Sequence, residues 1–169
     1  MARIQLIDEV ADAVKSLKIA NTTISIAESC TGGLISHKLT NIKGISDFFL
    51  MGLVAYSNEM KKLLLHVKKE TLDKFGAASA EVAHEMAEGI SILSNSDIGI
   101  SITGFADGEK AGEIYLGIHD RKGHRTIVKK LDLHGGRKEV KEQAAMIAIE
   151  EISHLTSDSD VAISEVTIP

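Results

Sequence analysis

Ile24-Ser25-Ile26-Ala27-Glu28-Ser29-Cys30-Thr31-Gly32-Gly33-Leu34 begins as an alternating run with β character and passes, through a cluster of small polar residues, into helical spacing. A strand that turns directly into a helix is the repeating joint of α/β proteins, and it places the chain in that class. The joint also invites chemistry. The first turn of a helix leaves backbone N–H groups without partners, and those donors together with the local dipole favour negative charge. Ser29 to Gly33 is therefore the first segment in which to look for a nucleophile or an anion site.

Working outward, Ile4, Ile7, Val10, Ala11, Val14 and Leu17 recur at spacings of three and four, which predicts an opening helix that Asn21-Thr22 ends. Thr23 to Ala27 reads as a strand and Thr31 to Leu39 as a helix. The cluster Gly44 to Asp47 is a turn, and the apolar run Phe48 to Tyr56 is long enough for a buried strand. Ser57 or Asn58 can cap a helix starting near Glu59, which puts Lys61 in its first turn. A short helix near Glu70 to Phe75 follows, then a longer one from about Ala80 with Val82, Met86, Ile90 and Leu93 on its inner face. Ile98, Ile100 and Ile102 mark a strand over 97–103. After the loop 104–112, Glu113 to His119 and Arg125 to Leu133 read as a hairpin around Asp120-Arg121-Lys122-Gly123. Gly135-Gly136 introduces a final helix with Val140, Ala144, Ile147, Ala148 and Ile152 inward. The expected architecture is a three-layer α/β/α sandwich with a mixed sheet of about five strands, one domain over 1–155 and a tail over 156–169 that holds the only proline.

The 169 residues, 44% of them hydrophobic, suffice for one core of ordinary domain size. Nineteen basic against 24 acidic residues give a net charge of -5, which argues against a broad nucleic-acid surface but leaves room for a local basic pocket and a small anionic ligand. Aromatic content of 4% with no tryptophan is too low for a base-stacking platform. Cys30 is the single cysteine, which fits a reduced, cytoplasmic setting; no apolar run reaches membrane-spanning length, and Met1-Ala2-Arg3 leads into an amphipathic pattern rather than a signal peptide. No GxGxxG follows a strand and no Gly-Lys-Ser or Gly-Lys-Thr occurs, which argues against NAD and ATP; the seven histidines form no metal-ligand spacing, so neither a cofactor nor a metal is expected.

Several residues have two readings each. Ser29 is a helix cap, or a nucleophile whose oxyanion is met by the amides of Thr31, Gly32 and Gly33. No Gly-x-Ser-x-Gly elbow or Ser/His/Asp set accompanies it, which leaves lysine as the base. Lys61 is a solvated residue beside Lys62, or a base made less basic by the helix dipole and by burial. Tyr56, at the end of the buried strand, packs its ring on the core, or also reaches the same pocket with its hydroxyl. Thr103-Gly104 ends a strand, where open α/β sheets place ligands, or simply makes a turn. Arg137 at a helix start is solvated, paired with Glu139, or fitted to a phosphate. Cys30 is a rival nucleophile or a small buried hydrophobe.

Taken together, Ala27-Glu28-Ser29-Cys30-Thr31-Gly32-Gly33, Tyr56-Ser57-Asn58-Glu59-Met60-Lys61, Phe75-Gly76-Ala77-Ala78-Ser79, Thr103-Gly104 and Gly136-Arg137 resemble the CinA C-terminal domain family of nicotinamide mononucleotide amidohydrolases, over about residues 5 to 155. The resemblance implies an α/β/α sandwich working as a homo-oligomer, and metal-independent hydrolysis of the carboxamide of a nucleotide substrate to nicotinic acid mononucleotide and ammonia in pyridine nucleotide salvage. It implies Ser29 as nucleophile, Lys61 as base, Tyr56 as its helper, Thr103 as a substrate-positioning or oxyanion group and Arg137 as a phosphate contact. The alternative is a degenerate, non-catalytic module of the same fold that binds a nucleotide or a protein. Longer members carry an additional N-terminal domain whose activities are not implied here.

One segment departs from the family's pattern. Where the family carries a longer loop rich in glycine and proline, this chain has Thr103-Gly104-Phe105-Ala106-Asp107-Gly108-Glu109-Lys110-Ala111-Gly112-Glu113. The loop is short and acidic, and Asp107 and Glu109 would repel a phosphate if they face it.

Overall fold

The computed structural model describes residues 2–155, with side chains from residue 9 onward. The tail 156–169 and the side chains of Ile4 and Ile7 lie outside the described residues. In chain order the elements are α1 (Ala2–Ala20), β1 (Ile24–Glu28), α2 (Leu34–Thr40), a 3-10 turn (Ile45–Asp47), β2 (Phe49–Val54), α3 (Asn58–Leu65), α4 (Lys69–Phe75), α5 (Ala80–Ser94), β3 (Ile98–Gly104), β4 (Glu113–Asp120), β5 (Arg125–Asp132) and α6 (Arg137–His154).

The sheet runs β2-β1-β3-β4-β5. β1 pairs in parallel with β2 and β3, and the hairpin adds β4 and β5 antiparallel to β3. The fold is the expected three-layer sandwich with a mixed five-stranded sheet. On one face Ile24, Ile26, Ile100, Ile102, Ile114 and Leu116 meet the inner stripes of α1 and α6 and the residues Ile35 and Leu39 of α2. On the other, Ala27 packs with Leu65 of α3, Leu72 of α4 and Val82, Met86 and Ile90 of α5. The residues beneath α5 are small, so the helix sits close to the strands: a Cβ added at Gly99 would lie 2.0 Å from the Ala87 carbonyl oxygen. Among the described residues no helix is long and apolar enough to cross a membrane.

Two elements differ from the expected ones. α2 begins at Leu34, not Thr31, because Gly32 and Gly33 take left-handed backbone (φ 65° and 93°) and extend the turn. β2 is an edge strand: every second residue faces solvent, with Leu50 47% and Val54 45% exposed. Its apolar composition suggested full burial, but position at the sheet's edge comes from strand order, which no local pattern contains.

Candidate active site

The strand's period of two decides where Glu28 and Ser29 point. Glu28 turns toward α2, while Ser29 turns to the opposite face, toward α3. Both main-chain groups are tied into the sheet. The Ala55 amide donates to the Glu28 carbonyl at 2.9 Å, and the Ser29 amide donates to the Ile102 carbonyl at 3.0 Å.

Glu28 is fully buried and its carboxylate gathers five hydrogen bonds. Oε2 accepts from the Thr31 hydroxyl (2.7 Å) and the amides of Gly33 (2.9 Å) and Ile35 (3.2 Å); Oε1 accepts from the Ser36 amide (2.9 Å) and hydroxyl (2.7 Å). The anion at the start of α2 is thus the chain's own. This corrects the expectation for two of the three amides offered to a substrate oxyanion: the Gly33 amide serves Glu28, as does the Thr31 hydroxyl, and the Gly32 amide donates to the Ser29 carbonyl at 3.1 Å. It also removes the reading of Ser29 as a cap, since α2 has Gly33 at its N-cap and no side-chain cap.

Sequence reasoning passed over Glu28. The available signal was a helix start with no Ser, Thr, Asp or Asn at the cap position itself, which must find its acceptor elsewhere.

Ser29 is free for the other face and meets Lys61, with Nζ 2.9 Å from Oγ. Ser57 caps α3 by accepting from the Met60 amide at 3.2 Å, and the first turn that follows aims Lys61 inward. Lys61 is 1% exposed and Ser29 7%. Burial pulls the Lys61 pKa below its ordinary value, with the Cys30 thiol acting in the opposite sense. The amine also donates to the carbonyls of Ala55 (3.1 Å) and Tyr56 (3.5 Å). A neutral lysine has two N–H groups and one lone pair. With the carbonyls taking the N–H groups, the lone pair is left for the Ser29 hydroxyl proton.

Above the pair opens a cleft of about 280 Å³, lined by Ser29, Cys30, Lys61, Thr103 and Gly104 toward its floor and by Tyr56, Asp107 and Arg137 among its other walls. Thr103 is 2% exposed and donates its hydroxyl proton to the Ala77 carbonyl at 2.7 Å. What it offers a substrate in this arrangement is an acceptor, which suits positioning a carboxamide N–H and not stabilising an oxyanion.

Cys30 packs into the core beside α1 and α6, 8% exposed. Burial pushes its thiol up to about 11 against the lowering effect of the Cys30 and Thr31 amides and of Lys61, so it is protonated at neutral pH and no rival to Ser29.

Of the two readings of Tyr56, the structure keeps the one that brings it to the pocket, whose wall it lines, and removes the one that packs its ring on the core. The residue is 62% exposed, so its ring is not core, and its hydroxyl accepts from Arg137 Nη2 at 3.1 Å; its link to Lys61 is through the main-chain carbonyl. Arg137, the first residue of α6, is neither unpaired nor bonded to Glu139: its Nη1 forms an ion pair with Asp107. Glu109, named with Asp107 as a possible repulsive group, does not line the cleft. Among the described residues no group of three or more His, Cys, Asp or Glu side chains is placed to hold a metal ion.

Fold and site together define an α/β/α protein that presents a buried serine-lysine pair at the carboxyl ends of its parallel strands. Residues 7–156 match the family model of the CinA C-terminal domain, and the chain belongs to that family. A CinA-like protein of Kosmotoga olearia is 48% identical over 143 residues, covering 81% of this chain and 34% of that relative. The chain spans about a third of the length of the curated relatives it matches. Among solved structures, the competence damage-inducible protein A of Klebsiella pneumoniae superposes with a TM-score of 0.85 at 29% identity, covering 92% of this chain and 99% of that one. A CinA superfamily protein of Enterobacter cloacae gives 0.84 at 30% identity over 90% and 92%.

Proposed function

We propose that the chain is an amidohydrolase that converts nicotinamide mononucleotide to nicotinic acid mononucleotide and ammonia through a Ser29/Lys61 pair. The observation that carries the reading is the 2.9 Å approach of a buried lysine to a buried serine hydroxyl. Among the described residues no carboxylate forms an ion pair with Lys61, so nothing holds it in the charged form against the cost of burial. The substrate follows from family resemblance.

In the first half-reaction Ser29 Oγ attacks the carboxamide carbon while its proton passes to Lys61 Nζ. The resulting ammonium returns that proton to the departing nitrogen, ammonia leaves, and an ester to Ser29 remains. Water then attacks the ester, again giving a proton to Lys61, and the carboxylate product separates as Ser29 is restored. Thr103 Oγ1 supports orientation of the amide group before attack.

The test is ammonia release from nicotinamide mononucleotide, wild type beside Ser29→Ala. The substitution should lower kcat by at least about a thousandfold with folding intact, because nucleophile and base act as a unit. Undiminished release from Ser29→Ala would exclude the mechanism. Tight binding with no turnover by the wild type would instead assign a non-catalytic nucleotide-binding module.

A further inference from the structure

The mouth of the cleft is closed by three residues from three separate segments. Tyr56 comes from the end of β2, Asp107 from the β3–β4 loop and Arg137 from the start of α6. Arg137 ties them together: Nη1 pairs with the Asp107 carboxylate and Nη2 donates to the Tyr56 hydroxyl. Both outer ends of its guanidinium fork, the atoms that grip a phosphate in the two-pronged manner, are engaged within the chain. Among the lining residues the only other cation is Lys61, buried in the cleft against Ser29. An anionic tail on a substrate therefore has a single cation to address, and its charge is already balanced.

The loop that carries Asp107 is tightly closed on itself. The Phe105 amide donates to the Glu113 carbonyl at 3.0 Å, the Gly112 amide to the Phe105 carbonyl at 2.8 Å, and the Ala111 amide to the Gly108 carbonyl at 3.1 Å. The short loop thus holds the Asp107 backbone at the mouth. A phosphate arriving at Arg137 must share the guanidinium with the Asp107 carboxylate or displace it, and like charges side by side repel.

We propose that Asp107 is a specificity-determining residue, which occupies Arg137 as an internal counter-anion and so shifts the preference of the cleft from phosphorylated amides toward amides with an uncharged tail. This rests on the reading of the cleft as a nicotinamide-type amidase site. Beside the mononucleotide of the proposed reaction, the substrate class it favours is an N-ribosylated aromatic carboxamide without the phosphate. A phosphorylated one enters at a cost set by the Asp107-Arg137 pair. Tyr56, neutral and bonded to the same guanidinium, keeps Arg137 over the mouth in either case.

Calorimetric titration separates this inference from the reading beneath it. Nicotinamide mononucleotide and nicotinamide riboside are titrated into full-length Ser29→Ala protein, alone and combined with Asp107→Asn, with Arg137→Ala, and with both. Asp107→Asn should tighten the mononucleotide about three- to tenfold, the scale of an exposed ion pair plus one relieved repulsion, and leave the riboside unchanged. In the Arg137→Ala background most of that gain should vanish.

An unchanged mononucleotide affinity in Asp107→Asn, an equal change for both ligands, or binding of neither ligand by any variant overturns the proposal. If the binding pattern appears while the wild type releases no ammonia from either compound, the hydrolase reading fails and the role of Asp107 stands.

Discussion

Replacing Glu28 by glutamine changes a single atom type in the most heavily hydrogen-bonded side chain next to the site. The amide keeps one oxygen, and it loses least if that oxygen takes the place of Oε2, with its three donors from Thr31, Gly33 and Ile35. The NH2 then stands where Oε1 was, facing the Ser36 amide at 2.9 Å, donor against donor. The Ser36 hydroxyl can rotate to accept; the backbone amide cannot. One buried donor left without an acceptor costs about 1–3 kcal/mol, and losing a negative charge at the first turn of α2 adds about 1 kcal/mol. A loss of roughly 2–4 kcal/mol is expected, a sizeable part of the ~5–15 kcal/mol typical of a domain. The chain has no tryptophan, so urea unfolding is best followed by far-ultraviolet circular dichroism. The midpoint should fall with the slope unchanged. Ammonia release should fall as well, because the Ser29 backbone hangs on the same turn. A midpoint equal to or above that of the wild type would refute the account, since relief of the buried charge would then outweigh the hydrogen bonds.

Lys61→Met should abolish turnover and remove from the stability the pH dependence that the buried amine gives it. The sign follows from burial lowering the Lys61 pKa: between that lowered value and the ordinary 10.5 the unfolded chain holds a proton the folded chain does not, so wild-type stability rises with pH across that window. Urea midpoints measured below pH 9, before Cys30 ionises in the unfolded chain, should show that slope in the wild type and lose it in the variant; a slope that survives would point to another group. The same titration gives kcat/KM a limb that climbs as Lys61 loses its proton, and a profile with no such limb anywhere below 10.5 would count against lysine as the base. Cys30, pushed up to about 11 by burial beneath the cleft, should react with a thiol-specific disulfide reagent at pH 8 far more slowly in the native protein than in urea; equal rates would contradict its burial.

Element types and most boundaries were readable because they rest on short-range patterns. Ser57 at the head of α3 and Ser79 at the head of α5 are side-chain caps of the kind that sequence displays openly. The pairing of Ser29 with Lys61 was not so readable: local pattern left Lys61 equally a solvated residue, and the family resemblance pointed to the pair. What could not be read depends on distant neighbours. An apolar strand lets the Tyr56 ring read as core, yet the strand lies at the sheet's edge and the ring is exposed. Arg137 was matched to a phosphate or to Glu139, while its partner Asp107 lies 30 residues away on a loop whose path local propensity does not set. Glu28 was overlooked because its five donors become neighbours only after Gly32 and Gly33 bend the chain back over the carboxylate.

The parallel pairing of β1 with both β2 and β3 has a kinetic consequence. Ser29 and Lys61 are 32 residues apart and Tyr56 and Arg137 81, so the contacts that assemble the cleft close long loops. Such contacts repay their closure entropy only after the central strands have aligned, which makes parallel sheets slow to form relative to helices. During refolding the helices can therefore return while the serine still lacks its lysine. Activity is the last signal to recover, and its lag behind the helical signal times the alignment of the three parallel strands.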